Sequence, residues 1–248
     1  MTLKTKLQIA EMKKANQIVK DTLNLLIDNT KEGVSTWQLN KLAHDYILKQ
    51  KAIPSFLNYN GFPASVCISV DCEVVHGIPS KKKILQEGQI VSYDVGAILN
   101  GWHGDAARTV GVGIISDECQ RLIDATEQCF FKGVESIIPN VTRLGDLGST
   151  IQQYAESFGY GVVRELIGHG IGRQLHEAPD VPNYGVAGHG IRLIPGMTIA
   201  VEPMINMGTH KVEFMSDGWT VKTLDRKPSA HYENTIAITD NGVEILSL

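Results

Sequence analysis

An α+β fold, in which two similar halves share one sheet, is predicted by three features of the sequence. Leu7, Ala10, Ala15, Ile18, Val19, Leu23 and Leu26 recur at helical spacing near the start of the chain. Two apolar runs flank Asn100-Gly101, the strongest short-range hairpin signal, and read as paired strands. A glycine stands six residues before a carboxylate at the end of an apolar strand twice, Gly88 with Asp94 and Gly196 with Glu202, at an offset of 108 residues.

The elements follow in order. The first helix is expected to stop at Gly33, and Ser35-Thr36-Trp37-Gln38 has the form of a capping box opening a second helix to about Lys51. Pro54, Gly61 and Pro63 mark a loop, after which Val66 to Val70 and Gln89 to Leu99 read as strands. Lys81-Lys82-Lys83 reads as a solvated turn between them. Ser116 begins a helix to about Ile137, and Val141-Thr142 a further one ending near Phe158. A strand to Leu166, a strand Met197 to Val201 ending in Glu202-Pro203, and an apolar strand around Glu233 complete the second half. No linker-like stretch separates the halves, so residues 1–248 read as one domain of two pseudo-repeats, about 1–115 and 116–248.

Composition narrows the function. With 248 residues, 43% hydrophobic and 20% charged, the chain is long enough for a proper core and unlike disordered, collagenous or coiled-coil sequences. A net charge of −4 and only 6% aromatic residues argue against a nucleic-acid partner. Lys4, Lys6, Glu11, Lys13 and Lys14 leave no room for a signal peptide, and no run of about 18 apolar residues spans a membrane. A soluble, cytoplasmic protein is expected. Cys67, Cys72, Cys119 and Cys129 lack zinc-finger or redox spacing and read as free thiols.

The chemistry begins in the hairpin. With a two-residue turn at Asn100-Gly101, residue i faces residue 201 − i, so Gly96 faces Asp105 and Ala107 faces Asp94. Side chains alternate along strands, so Asp94 and Asp105 share one face as diagonal neighbours, roughly 7–8 Å apart. Two carboxylates so placed on an apolar hairpin repel unless a cation or proton intervenes. His169 sits between Gly168 and Gly170, which suits a ligand approached closely by backbone. Alone, each of His169, His176, Glu202 and Glu233 is as readily structural as functional. Together, Asp94, Asp105, His169, Glu202 and Glu233 form an oxygen-rich set with too few donors for two closed cages. Such a set fits two cations sharing carboxylates and a water, and disfavours a structural zinc site.

These residues stand in a specific arrangement of motifs: Val75-His76-Gly77-Ile78-Pro79, Asp94 and Asp105 with ten residues between, Gly168-His169-Gly170-Ile171-Gly172, His176-Glu177-x-Pro179, Ala200-Val201-Glu202-Pro203 and Ser229-Ala230-x-x-Glu233. In these the chain resembles the type I methionine aminopeptidases of the pita-bread metallopeptidase family, from the first helix to Ile245. The resemblance implies a pseudo-two-fold, strongly curved antiparallel sheet with helices on its outer face. It implies two divalent ions (Co, Mn, Fe or Zn), one bound by Asp94, the other by His169 and Glu202, with Asp105 and Glu233 bridging. A bridging hydroxide would attack the scissile carbonyl, with Glu202 moving its proton to the leaving amine, His176 donating to the oxyanion and His76 contacting the substrate amide. Phe56, Tyr59, Phe62, Cys67, Leu175 and Trp219, with His76 and His176, would form the methionine-binding cup. The implied substrates are nascent polypeptides with an unblocked N-terminal methionine and a small second residue, met transiently at the ribosome. A monomer is expected.

Departures from the family pattern are Asp71-Cys72, where Asn-Glu is usual, and Asn234, where histidine is common. The region of Asp71, Glu73 and Ser229 matches the neighbourhood of a monovalent cation (Na or K) site in relatives. Only 32 residues separate His169 from Glu202, leaving no room for the helical insertion of type II enzymes. An X-Pro peptidase is the first alternative, disfavoured because the chain opens directly on the catalytic half. A metal-free binding module is the second, disfavoured because no ligand is missing.

Overall fold

A computed structural model describes residues 2–248. In chain order the first half holds α1 (Lys6–Asp28), α2 (Thr36–Lys49), β1 (Ile53–Pro54), β2 (Val66–Val70), β3 (Glu73–Val75), β4 (Ile90–Leu99) and β5 (Trp102–Gly111). The second holds α3 (Asp117–Glu135), α4 (Leu144–Ser157), β6 (Gly161–Val162), β7 (Gly168–Gly170), β8 (Glu177–Val181), β9 (Thr198–Val201) and β10 (Met204–Asn206). It continues with β11 (Val212–Phe214), β12 (Val221–Thr223), β13 (Ser229–His231), β14 (Glu233–Thr239) and β15 (Gly242–Ile245).

The main sheet runs β1-β4-β5-β14-β9-β7-β8, with β2 also beside β4 and β15 also beside β14. Its pairings are antiparallel. The hairpin β4–β5 and the pair β9–β14 meet where β5 contacts β14, which places the pseudo-two-fold axis between those two strands. Gly88 and Gly196 occupy matching left-handed turns, with φ of +89° and +92°, ahead of β4 and β9. This is the curved sheet of the pita-bread fold, and the duplication read from the 108-residue offset is visible in the strand order.

Each half has its own core on the outer face. Val91, Tyr93, Val95 and Ala97 of β4 pack on Val19, Leu23 and Leu26 of α1 and on Leu39 and Ile47 of α2. Ile199 and Val201 of β9, with Ile236 and Ile238 of β14, pack on Phe130 of α3 and on Leu147 and Ile151 of α4. Burying each such side chain contributes about 1.5–3 kcal/mol. The period of two then fixes the site: with odd-numbered residues of β4 and β9 turned to the helices, Asp94 and Glu202 are turned to the concave face.

Local signals held at most helix starts. Ser35 caps α2 through a reciprocal capping box with Gln38, and Ser116 caps α3 by accepting from the backbone N–H of Cys119. A second capping box, Thr5 with Gln8, opens α1. Four expectations need correction. Helix α1 ends at Asp28, five residues before Gly33, because the Asn29 amide and Thr30 hydroxyl side chains bond back to the Leu25 and Leu26 carbonyls. Helix α4 starts at Leu144 because the Thr142 hydroxyl accepts from Ile138 N–H, and Asp146 instead accepts from Arg143 N–H. The strand expected to reach Leu166 covers only Gly161–Val162, and the strand around Glu233 is broken at Tyr232 into β13 and β14. Finally, Lys83 is not merely solvated, since its ammonium pairs with the buried Glu73 carboxylate at 2.7 Å. No helix among the described residues is long and apolar enough to cross a membrane.

Candidate metal centre and active site

The hairpin register is as its turn requires: Asn100 and Gly101 take φ of +54° and +75°, Gly96 pairs with Asp105 and Asp94 with Ala107. Across the pseudo-two-fold, Glu233 pairs with Ala107, and Asn234 with Val201. Asp94 and Glu202 thus lie on or beside the outer strands of the four, and Asp105 and Glu233 on the two central ones. His169 arrives from β7, squeezed between β8 and β9. A side chain at Gly168 would strike the Ala200 carbonyl, and one at Gly170 the Ala178 carbonyl. Only glycine lets the strand come this near.

All thirteen residues read from the sequence as site residues line one cavity of about 280 Å³. Asp94, Asp105, His169, Glu202 and Glu233 form its polar floor. Phe56, Tyr59, Phe62, Cys67, Leu175 and Trp219 form its walls, with His76 and His176 beside them. Phe62 meets Trp219 edge-on at 5.1 Å between ring centroids, and His76 lies 6.3 Å from Trp219. Trp219 is therefore a cavity wall, held by Asp217, whose carboxylate accepts from the Trp219 and Thr220 N–H groups. Cys67 is the register partner of Asp94. The four cysteines are free thiols.

The imidazoles are oriented by their partners. His169 Nδ1 lies 2.9 Å from the Gly170 carbonyl, which can only accept, so Nδ1 carries the proton and Nε2 offers a lone pair to the floor. That Nε2 lies 3.6 Å from Glu202 and 3.8 Å from Asp105. His176 Nδ1 lies 2.6 Å from the Tyr59 hydroxyl, and its ring lies 4.2 Å from that of His169. A Tyr59 donor leaves the His176 proton on Nε2 as a donor of its own. Burial, reinforced by His176, lowers His169 to about 3 and His76 to about 4, so both are neutral near pH 7.

The floor is electrostatically unbalanced. Burial raises the Asp94 carboxyl to about 7, and burial followed by the neighbouring carboxylates pushes Asp105, Glu202 and Glu233 well above the ordinary range. No lysine or arginine is among the described residues lining the cavity. Arg108, the nearest base, spends its guanidinium on the Ala107 and Glu233 carbonyls and the Asn234 amide. Asp94 Oδ1, Asp105 Oδ1 and Glu233 Oε1 are buried with no hydrogen-bond partner. Orphaned, crowded carboxylates beside a lone-pair imidazole fit divalent cations. Two groups have ligand atoms mutually within 4.8 Å, Asp105 with His169 and Glu233, and Asp94 with His231 and Glu233, so that Glu233 is common to both.

His231 was not read from the sequence as a site residue. It is buried beside the floor, and its Nε2 lies 3.8 Å from Glu233 and 3.9 Å from Glu202. The signal was available, because His231 stands two residues before Glu233 and a strand period of two puts such residues on one face.

A floor of this kind beneath an apolar cavity is the centre of a metal-dependent hydrolase. A sequence profile of metallopeptidase family M24 matches residues 10–240. A methionine aminopeptidase of Clostridium acetobutylicum is 55% identical over 99% of this chain and 98% of its own, and methionine aminopeptidase 1 of Bacillus subtilis is 47% identical over 98% of each. The crystal structure of methionine aminopeptidase from Rickettsia prowazekii superposes with a TM-score of 0.98 at 43% identity, each chain covered in full. The chain belongs to metallopeptidase family M24, within its methionine aminopeptidase branch.

Proposed function

We propose that this chain, as a single catalytic domain, removes N-terminal methionine from peptides and nascent polypeptides, favouring a small second residue. The observation that carries this reading is the placement of five oxygen and nitrogen ligand side chains beneath an aromatic cup of about 280 Å³. Asp94, Asp105, His169, Glu202 and Glu233 would hold two divalent ions of the Co, Mn, Fe or Zn class. When bound, these ions lower the pKa of a water shared between them and polarise the scissile carbonyl.

The remaining work falls to side chains. Glu202 accepts the proton of the attacking water and returns it to the leaving amine. His176, with its proton on Nε2, donates to the carbonyl oxygen as charge develops there. Its ring is held by Tyr59, which acts as a positioning residue. His76, in a left-handed backbone conformation at φ +58°, presents its ring at the cavity wall toward the substrate amide and limits the space beyond the first residue. Asp94 favours a free α-ammonium, which excludes acylated N-termini. Phe56, Tyr59, Phe62, Cys67, Leu175 and Trp219 hold the thioether, which packs well on aromatic edges. The reading carries with it a cytoplasmic monomer that meets the ribosome transiently. It also carries one monovalent cation (Na or K) held at Ser229 and neighbouring carbonyls. Asp71 and Glu73 do not contribute, since Asp71 accepts from Gln89 and Ile90 and Glu73 from Lys83 and Val70.

The test is an assay of metal-stripped protein with each divalent ion restored, on Met-Ala-Ser, its N-acetyl form, Leu-Ala-Ser and Ala-Pro-Ser, with products weighed. Metal-dependent release of methionine from the free peptide alone is the expected result. Cleavage only before proline would move the chain to an X-Pro specificity, and silence with every ion would overturn the reading. His176→Ala should lower kcat by about 10²–10³-fold with KM little changed, since an oxyanion donor acts in the transition state. A change confined to KM would remove His176 from that role.

A further inference from the structure

His231 is a buried histidine for which the proposed reaction has no use. It sits at the end of β13, one residue before the break that separates β13 from β14, and its backbone is clamped on both sides by the Thr109 hydroxyl. Only 1% of its surface is exposed. Both ring nitrogens are without a hydrogen-bond partner, a costly arrangement for a buried imidazole unless a further group completes it.

Geometry says what that group is. Nε2 lies 3.8 Å from Glu233 Oε2 and 3.9 Å from Glu202 Oε2, too far for hydrogen bonds. Two donors each about 2.1 Å from one ion lie about 3 Å apart when adjacent and about 4.2 Å apart when opposite, so these separations suit ligands of a common cation. One ligand atom each of Asp94, His231 and Glu233 lies within 4.8 Å of the other two. The oxygens orphaned here, Asp94 Oδ1 and Glu233 Oε1, and the nitrogens of His231 are all lone-pair sites that one cation satisfies together.

We propose that His231 is a sixth protein ligand of the metal centre, giving Nε2 to the ion held by Asp94 and Glu233. The centre then has an imidazole on each side, His169 for one ion and His231 for the other, where the set read from the sequence has oxygen alone around Asp94. A nitrogen donor at that position raises affinity for imidazole-preferring ions such as Co(II) and Zn(II) relative to Mn(II). This rests on the two-ion reading above, and the experiment separates the two.

The protein is loaded with two equivalents of Co(II), and the hyperfine-shifted, solvent-exchangeable imidazole N–H signals are counted by proton NMR in H₂O and D₂O. Two such signals are expected in the unsubstituted protein. His169→Ala should lose one, and His231→Gln the other. Competition titration should show Co(II) affinity lowered at least about tenfold in His231→Gln, with Mn(II) affinity lowered less. Circular dichroism of the metal-free variant checks its fold, and should it not fold, the signal count in the unsubstituted protein decides alone. A single exchangeable signal, lost in His169→Ala, or a His231→Gln variant with both signals intact, overturns the proposal while leaving the two-ion reading standing. Failure of the unsubstituted protein to bind Co(II) at all overturns both.

Discussion

Glu202→Gln should lower kcat on a methionyl peptide by about 10²–10⁴-fold, the range for losing a general base, with the sheet still folded. The size follows from the two tasks assigned to one carboxylate. Its neighbour His169 Nε2, 3.6 Å away, marks it as a ligand, and its position at the cavity floor lets it reach both the attacking water and the leaving amine. Glutamine keeps the volume and one oxygen but can neither take a proton at neutral pH nor balance a cation as well. The fold should tolerate the change, because burial already penalises a charge at this position, Glu202 being pushed well above the ordinary carboxylate range. Steady-state kinetics with thermal melting of the same preparation checks both halves. Turnover near that of the unsubstituted protein would remove Glu202 from the reaction.

Much of this site was legible because its geometry is set by short-range rules. The turn at Asn100-Gly101 fixes the register of β4 on β5, and register with alternation fixes which face Asp94 and Asp105 share. The duplication carried the same logic to Glu202, 108 residues on. What escaped was long-range. Nothing local says that β5 pairs with β14, the contact that brings Asp105 and Glu233 together and closes the floor. His231 was hidden for a related reason: a histidine in an apolar strand reads as core until the carboxylates facing it are known. Lys83 shows the same limit, since a triple lysine in a turn gives no hint that Glu73 lies buried beside it. The end of α1 was missed because side chains of Asn29 and Thr30 cap its carbonyls, a competition that glycine position alone does not reveal.

Asp94→Asn should have opposite effects on the metal-free and metal-loaded protein. The Asp94 carboxyl has a folded pKa of about 7, above its ordinary value, so the folded state binds the extra proton. For an acid shifted this way, the stability it contributes is present below the ordinary carboxylate range and is lost as pH rises through about 7. The other three floor carboxylates are raised in the same direction. At about pH 8 the metal-free protein therefore carries charges it cannot compensate, and Asn, which never ionises, should raise its Tm. At about pH 5, where Asp94 is protonated and close in shape to Asn, the two proteins should melt together. Histidines such as His169 and His231, lowered to about 3, act oppositely, their stabilisation being lost as pH falls below about 6.5, but they cancel in the difference between variant and parent. With divalent ion at a hundredfold excess over Kd, binding at one site adds about 2.7 kcal/mol, which for a chain of this length is a Tm gain of about 5–10 °C. The variant, lacking a ligand, should lose most of that gain. A parent that is stabilised by metal and a variant that is stabilised by its absence would show that the same carboxylate is strained in the empty fold and used in the filled one. A variant less stable than its parent at about pH 8 without metal would instead make Asp94 a structural residue.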